Sequence, residues 1–399
     1  MLSLQSLAAL VCNVIVHLLF LNGVAPLLLR STVVAALSVS HTQSSRLLEA
    51  RANESCRDPL VRTEWYINFS NQVMFLIFTK FIDRRRMSAN QQDSYIAALK
   101  CMLEKPAEEY PVVPAASNRY EDFVAAHIFS VWNAHYVGAF YPWHRWFLFH
   151  FEKELQSCGF QGGLPYWDWT LDTTSEQKFL GSPIFDTVRG FGGNGEYVPT
   201  NQLTPAPTML LASRPKLLAA NRTGGGCLVD GPFSGLSSEL GPRDNLKKMG
   251  RHCVTRDLGY AYMWNTTDLN LVNTAMKFPN FGLYGNKTEF SYHAGGHWAI
   301  GGEYATMSDM WASPLDPIFF LHHSNLDRAW WSWETRDLDV RVDDISGPLF
   351  TQDYHNKEGG NYTIDSIIRL GVTSPVEVRI GDIMHIQQGP LCYTYDQLY

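Results

Sequence analysis

Two groups of histidines, far apart along the chain, constrain the fold more than any other feature. No cysteine or carboxylate is interleaved with either group at ligand spacing. If each group binds one ion and the two ions act together, both stretches must meet in one core. The members are His127, His135, His144, His293, His297 and one of the adjacent pair His322 and His323.

The absence of other ligand types indicates which metal such groups would hold. Neutral imidazole suits copper, zinc, iron and nickel. Two all-histidine trios are most simply explained by two copper ions side by side, which is a site for handling dioxygen. A zinc hydrolase is the rival interpretation, and the lack of a bridging carboxylate argues against it.

The second group has helical spacing. His293 and His297 are four residues apart, which places both rings on one face of a helix. The neighbouring glycines would let a partner helix approach closely: Gly295, Gly296, Gly301 and Gly302.

Adjacent histidines on a helix are not expected to bind the same ion. On a helix His322 and His323 point about 100° apart, so one is expected to be a ligand and the other a hydrogen-bonding neighbour. His150 lies six residues after His144 and is turned away from that face. It is interpreted as a core histidine.

Two carboxylates follow the histidines closely. Asp327 lies four residues after His323, so it would either orient an imidazole or pair with Arg145 near the site. A plain surface salt bridge is the alternative. Glu152 in the first group has the same two interpretations.

The composition excludes one class of partner. The chain has 399 residues, of which 45% are hydrophobic and 18% charged, and its net charge is -7. Nucleic acid is not expected, because phosphate binding needs clustered Lys and Arg. The expected partners are dioxygen and a small phenolic substrate.

The start of the chain resembles an export signal. Residues 1–40 are almost wholly apolar and predict a signal peptide or a signal anchor. Contact with a membrane is expected only if this segment stays uncleaved. Residues 41–55 are polar and predict disorder, and residues 56–399 form the predicted catalytic domain. The protein is expected to be secreted, with anchoring in the secretory pathway as the alternative.

Sequons and cysteines support export. Six Asn-x-Ser/Thr sequons predict glycosylation at Asn53, Asn68, Asn221, Asn265, Asn286 and Asn361. Six cysteines outside the leader permit three disulfides, although buried free thiols remain an alternative. We expect the pairs Cys56–Cys101 and Cys227–Cys253.

Coarse patterns predict a mainly α fold with long irregular loops and a few short strands. The clearest helix covers 93–103, and Pro142 fits the first turn of another. Residues 159–250 predict a long loop region, and the last 64 residues, 336–399, predict extended structure. The apolar stretch 73–87 is interpreted as an insertion or a retained intron.

Longer motifs around the histidines resemble those of the type-3 copper proteins, which include tyrosinases, catechol oxidases and haemocyanins. The first-site pattern is met by His135, Phe140, Trp143, His144, Arg145, Leu148 and Glu152. The second is met by Asp316, Pro317, Phe319, Phe320, His323 and Asp327. In the second pattern the later histidine of the pair is the ligand, so the resemblance selects His323 and makes His322 its neighbour.

The resemblance also implies a fold and a cofactor. The family's fold is a four-helix bundle that supplies three imidazoles to each of two copper ions. Tyr393 and Tyr395 resemble the Tyr-x-Tyr motif that closes its catalytic domain. The segment from Cys227 to Cys253 is most similar to short secreted polyphenol oxidases of ascomycete fungi.

Departures from the family pattern bear on the expected activity. Many monophenol-hydroxylating members have Asn after the first ligand of the second site, where this chain has Ala294. A gating position in relatives holds the bulky Met310, and a cysteine that some members cross-link to histidine is Asn133 here. Ala294 and Met310 favour oxidation of diphenols over hydroxylation of monophenols.

The sequence therefore predicts a dicopper oxidase that converts o-diphenols to o-quinones and reduces dioxygen to water. o-Aminophenols are a possible further substrate class, and monophenols a weak one. The alternative is a haemocyanin-like carrier that binds dioxygen without turnover.

Overall fold

A computed structural model describes Cys56 and residues 58–65, 87–109, 112–205, 222–372 and 376–399. Three predicted segments lie outside these residues, wholly or nearly so: the leader at 1–40, the polar stretch at 41–55 and the insertion at 73–87, of which only the last residue is described.

Helices carry the core of the molecule. They are α1 (Ala89–Glu104), α2 (Arg119–Ala134), α3 (Phe140–Ser157), α4 (Glu176–Leu180), α5 (Tyr260–Thr266), α6 (Leu269–Ala275), α7 (Phe281–Thr288), α8 (Ala294–Gly301), α9 (Ile318–Glu334) and α10 (Leu338–Arg341). A π-helical segment, Glu289–His293, joins α7 to α8. The π segment and α8 pack against α9, α9 packs against α3, and α3 packs against α2. The prediction of a mainly α protein built on a helix bundle is confirmed.

Local sequence explains where these helices begin. The hydroxyl of Ser88 accepts from the backbone of Gln91 and the Gln91 side chain accepts in return, which forms a capping box for α1. The side chain of Asn118 caps α2. Pro142 lies in the first turn of α3, as predicted, where its missing N–H would have no helical partner.

Helix α9 is the centre of the bundle. All of its residues are buried, including polar ones such as Ser324 and Asn325. A helix buried all round must lie inside the molecule. The stretch that carries His322 and His323 is therefore surrounded by other elements.

Short strands pair with one another within the loop regions and between an early and a late segment of the chain. Strands β1 (Leu60–Arg62) and β8 (Tyr393–Tyr395) pair in parallel. The others form three antiparallel pairs, β2 (Gly195–Tyr197) with β3 (Gly225–Leu228), β4 (Ser237–Ser238) with β5 (His252–Cys253), and β6 (Ile367–Leu370) with β7 (Val376–Arg379). The predicted loop region 159–250 is indeed mostly irregular, but the last 64 residues also contain the helix α10.

Three disulfides join the six described cysteines, and one of the two predicted pairs is wrong. Cys227–Cys253 forms as expected. Cys56 pairs with Cys392, and Cys101 pairs with Cys158, so the expected Cys56–Cys101 bond does not exist. The reason is the β1–β8 pairing, which brings Cys56 to the far end of the chain.

Candidate metal centre

Three histidines from two consecutive helices form the first trio. His127 lies inside α2, His135 follows its last residue, and His144 lies early in α3. The ring centroids are 5.1 Å apart for His127 and His135, 5.0 Å for His135 and His144, and 5.7 Å for His127 and His144. One ligand atom of each ring lies within 4.8 Å of the others.

The second trio comes from the π segment, α8 and α9. His293 ends the π segment, and His297 lies one turn later in α8. Their centroids are 4.7 Å apart, and both lie 5.2–5.3 Å from the ring of His323. Single π turns inside helices are frequent at functional sites.

The two trios face each other. The rings of His144 and His323 are stacked with centroids 4.3 Å apart, and those of His135 and His293 are 6.1 Å apart. Phe140 packs against His144 and His293 at 4.7 and 4.6 Å. Residues separated by more than a hundred positions in sequence are therefore brought into one buried cluster.

Backbone carbonyls orient most of these rings. Because a carbonyl only accepts, each contacted Nδ1 carries the proton and leaves a lone pair on Nε2. The contacts measure 2.7–3.3 Å and join His127 to Trp311, His135 to Val131, His144 to Phe140, His293 to Glu289 and His297 to Met307. In His297 the Nε2 atom lies 3.1 Å from Nε2 of His323.

Several of the free nitrogens have no partner. The Nε2 atoms of His127, His144 and His293 are buried, and none of the described residues hydrogen-bonds them. The Nδ1 atom of His323 is likewise buried and has no hydrogen-bond partner among the described residues. A buried nitrogen without a partner is costly and calls for an explanation such as a bound ion. The trios therefore fit a pair of imidazole-preferring metal ions.

Burial also keeps these rings uncharged. Desolvation lowers the pKa of His127 to about 3 and that of His297 to about 4. It lowers the pKa values of His135, His144 and His323 as well, and the neighbouring histidines add to the effect. Neutral imidazole is the form that binds a metal.

Both ring nitrogens of His322 form hydrogen bonds within the protein. The indole N–H of Trp169 donates to Nδ1 at 2.9 Å. Since that nitrogen accepts, Nε2 carries the proton and donates to the carbonyl of His293 at 3.0 Å. No lone pair remains for an ion. The ring is placed as a hydrogen-bonding neighbour, and it holds the backbone of a member of the second trio.

Gly296 makes room for that neighbour. A Cβ atom at this position would lie 2.1 Å from Cε1 of His322. No side chain fits there without displacing the ring. The close approach that the sequence predicted from the glycines of α8 is confirmed at this contact.

Asp327 joins a buried ion network and does not contact an imidazole. Its carboxylate accepts from Arg145 at 2.6 Å, Arg62 at 3.2 Å and Tyr395 at 2.6 Å, and Tyr393 also donates to it. Burial alone would raise the pKa of Asp327, but the two guanidinium charges and the tyrosine hydroxyls hold it below its usual value. The surface salt bridge that was the alternative interpretation is therefore wrong.

Glu152 and Glu334 complete this network. Glu152 accepts from Arg62 at 3.0 Å and from the backbone of Leu164 at 2.6 Å. Glu334 accepts from Arg145 at 2.8 Å, and burial raises the pKa of its carboxyl to about 8. The network ties α3 to α9, and thereby the helix of His144 to the helix of His323.

A small cavity opens beside the histidines. Its volume is about 30 Å³, which is room for a few water molecules. Beside the rings of three histidines its wall contains Ala294, Trp298 and Met310. Both residues predicted to control substrate access therefore line the same space.

Sequence reasoning missed a buried carboxyl that holds the backbone of a residue in the cavity wall. Glu289 lies four residues before His293 and accepts the backbone N–H of Tyr136 at 2.7 Å. Burial raises the pKa of Glu289 well above its usual value. The four-residue spacing to His293 was a signal that could have identified it.

Comparison with known proteins gives consistent results. The Tyrosinase family model, the common central domain of tyrosinase, matches residues 117–336. A tyrosinase-like protein of Diaporthe leptostromiformis is 30% identical over 363 residues, which cover 86% of this chain and 81% of that protein. Tyrosinase P of Aspergillus terreus is 30% identical over 334 residues, covering 77% and 89%.

A solved structure is also similar. A polyphenol oxidase variant from Thermothelomyces thermophila is 27% identical and superimposes with a TM-score of 0.67. The similarity covers 88% of this chain and 93% of that one.

Proposed function

The chain belongs to the tyrosinase family of copper oxidases, and from this premise we propose that it converts o-diphenols to o-quinones while dioxygen is reduced to water. o-Aminophenols are proposed as a related substrate class, and monophenols as poor substrates. The observation that carries the proposal is the pair of facing histidine trios with unpartnered, buried nitrogens.

We assign three imidazoles to each of two copper ions. The free nitrogens of each trio support this assignment, and the hydrogen bonds of His322 support its exclusion. When bound, the copper pair supplies the redox chemistry by which two electrons leave each diphenol for dioxygen. The proposed ligands are His127, His135 and His144 for one ion and His293, His297 and His323 for the other.

The protein's own contribution is orientation and exclusion of water. Carbonyl contacts hold the rings in one tautomer before any ion binds. The reacting ring is placed at the mouth of the cavity, which Ala294, Trp298 and Met310 line. An apolar wall at this point favours a neutral aromatic substrate over a charged one.

Copper analysis combined with oxygen uptake tests the proposal. The purified protein is expected to hold two copper ions per chain and to consume dioxygen with catechol as quinone absorbance rises. Slower uptake is expected with an o-aminophenol, and the slowest with a monophenol. Removing the metal should abolish uptake, and copper but not zinc should restore it.

Two results would overturn this function. Reversible dioxygen binding without quinone formation would indicate the haemocyanin-like carrier. Full occupancy by zinc, with no copper uptake and with hydrolysis of a test ester, would indicate the hydrolase.

Ala294 is expected to control the relative rates at which monophenols and diphenols are oxidised. In Ala294→Asn the new amide oxygen can accept a hydrogen bond from a phenol entering the cavity. One such bond is worth about 1 kcal/mol, so the ratio of kcat/KM for 4-methylphenol over 4-methylcatechol is expected to rise about fivefold. Ala294→Leu has nearly the same size without the acceptor and is the control. An equal rise in both variants would attribute the change to volume alone.

We also propose that the protein is exported. Three disulfides form readily in oxidising compartments and rarely in the cytosol. Among the proposed glycosylation sites Asn361 is exposed, whereas Asn286 is half-buried and bonds to Tyr354. Asn53, Asn68 and Asn221 lie outside the described residues, as does the side chain of Asn265. No helix in the described part of the chain has the length and apolarity needed to cross a bilayer.

A further inference from the structure

One wall of the cavity continues outward as a row of aromatic rings. Tyr136 lines the cavity, its ring lies 5.0 Å from that of Phe290, and Phe290 lies 6.1 Å from Tyr354. The exposed fraction rises along the row, from 4% for Tyr136 to 37% for Phe290 and 38% for Tyr354. We call these three residues the aromatic row. It connects the cavity to solvent.

The backbone of Tyr136 is held in an unfavourable conformation. Its φ of 56° lies in the left-handed region, which is unfavourable for a bulky side chain. Both of its backbone groups are fixed, since the N–H donates to Glu289 at 2.7 Å and the carbonyl accepts from Gln352 at 2.9 Å. Strain that the surroundings maintain in this way is concentrated at functional sites.

Core packing does not explain the outer rings. Phe290 and Tyr354 are each more than one third exposed, and Phe350 in the same loop is 46% exposed. Single exposed apolar residues need no explanation, but apolar surface that is continuous with a cavity marks a binding groove. The cavity itself, at about 30 Å³, has no room for a substituent of the reacting ring, which must therefore lie outside it.

We propose that the aromatic row binds an aryl or similarly flat apolar group attached to the ring that is oxidised. The preferred substrates are then aryl-substituted diphenols, with the diphenol at the mouth of the cavity and the substituent along the row. The hydroxyl of Tyr354 bonds to Asn286, so the row offers neutral surface to a neutral substituent. This inference rests on the proposed oxidation of diphenols and extends it to a substrate class.

The test compares 4-phenylcatechol with 4-methylcatechol as the ratio of their kcat/KM values. Wild type is expected to favour the phenyl compound. Losing one ring contact should lower that ratio about three- to tenfold in Phe290→Ser. Tyr136→Gly removes the ring while tolerating the same φ, and it should lower the ratio as well. Tyr197→Ser, at an exposed tyrosine beside Arg222, is the control and should keep the wild-type ratio.

A binding measurement separates this inference from the oxidase proposal. Copper-loaded protein without dioxygen cannot turn over, so calorimetry with 4-phenylphenol reports binding alone. The Kd for 4-phenylphenol should rise three- to tenfold in Phe290→Ser. Equal ratios and equal Kd values in wild type and Phe290→Ser would overturn the aromatic row as a binding site. Binding that depends on Phe290, without turnover of any diphenol, would instead overturn only the oxidase.

Discussion

The His323→Gln variant is expected to keep one copper ion per chain and to lose diphenol oxidation by at least about a thousandfold. His323 is the α9 member of the second trio, and its ring stacks on His144 of the first at 4.3 Å. A glutamine cannot supply the missing imidazole nitrogen, and a redox step that needs both ions then has only one. Copper content and the rate of quinone formation are the two measurements.

The neighbouring His322→Gln variant is the matched control. Its amide oxygen can accept from Trp169 while its amide nitrogen donates to the carbonyl of His293, as the imidazole does. Even full loss of one of these hydrogen bonds would lower metal affinity only about 10–100-fold, so two copper ions should still bind at saturating copper. The ligand assignment fails if His322→Gln loses an ion while His323→Gln keeps both.

How far the sequence could predict this centre depends on which contacts are local. The i, i+4 relation of His293 and His297 follows from one helical stretch, and the convergence of the trios required only that the chain fold around a pair of neighbouring ions. The same spacing argument limited the adjacent pair to one ligand. It could not say which, because the donor that occupies His322 is Trp169, at a distant position in the chain.

Contacts between the early strand β1 and the late strand β8 could not be predicted from the sequence for the same reason. The disulfide of Cys56 is decided by the parallel pairing of β1 with β8, and neither strand has a pattern that names its partner. Arg62 enters the buried network through that same pairing. The helix α1, by contrast, depends on its own capping box and periodicity, and the predicted range 93–103 falls inside it.

The largest stability effect is expected from the buried network. Asp327→Asn removes the negative charge between Arg62 and Arg145, both of which are fully buried. Breaking a buried ion pair by removing one partner costs about 3–5 kcal/mol. For a unit of this size that corresponds to a fall in Tm of roughly 4–7 °C. Because Asp327 contacts no imidazole, the folded variant should still bind two copper ions.

The sign of the pH dependence distinguishes a charge effect from a packing effect. The folded pKa of Asp327 is lowered, so its contribution is complete above its unfolded pKa of about 4. That contribution is lost as the pH falls through the lower folded value, and the Tm difference between wild type and variant should shrink there. Asp365→Asn breaks an exposed pair with Arg379 and should cost less than about 1 kcal/mol. If Asp327→Asn and Asp365→Asn lost the same stability, or if the Tm difference between wild type and Asp327→Asn did not change with pH, the network would stabilise the fold by packing and not by charge.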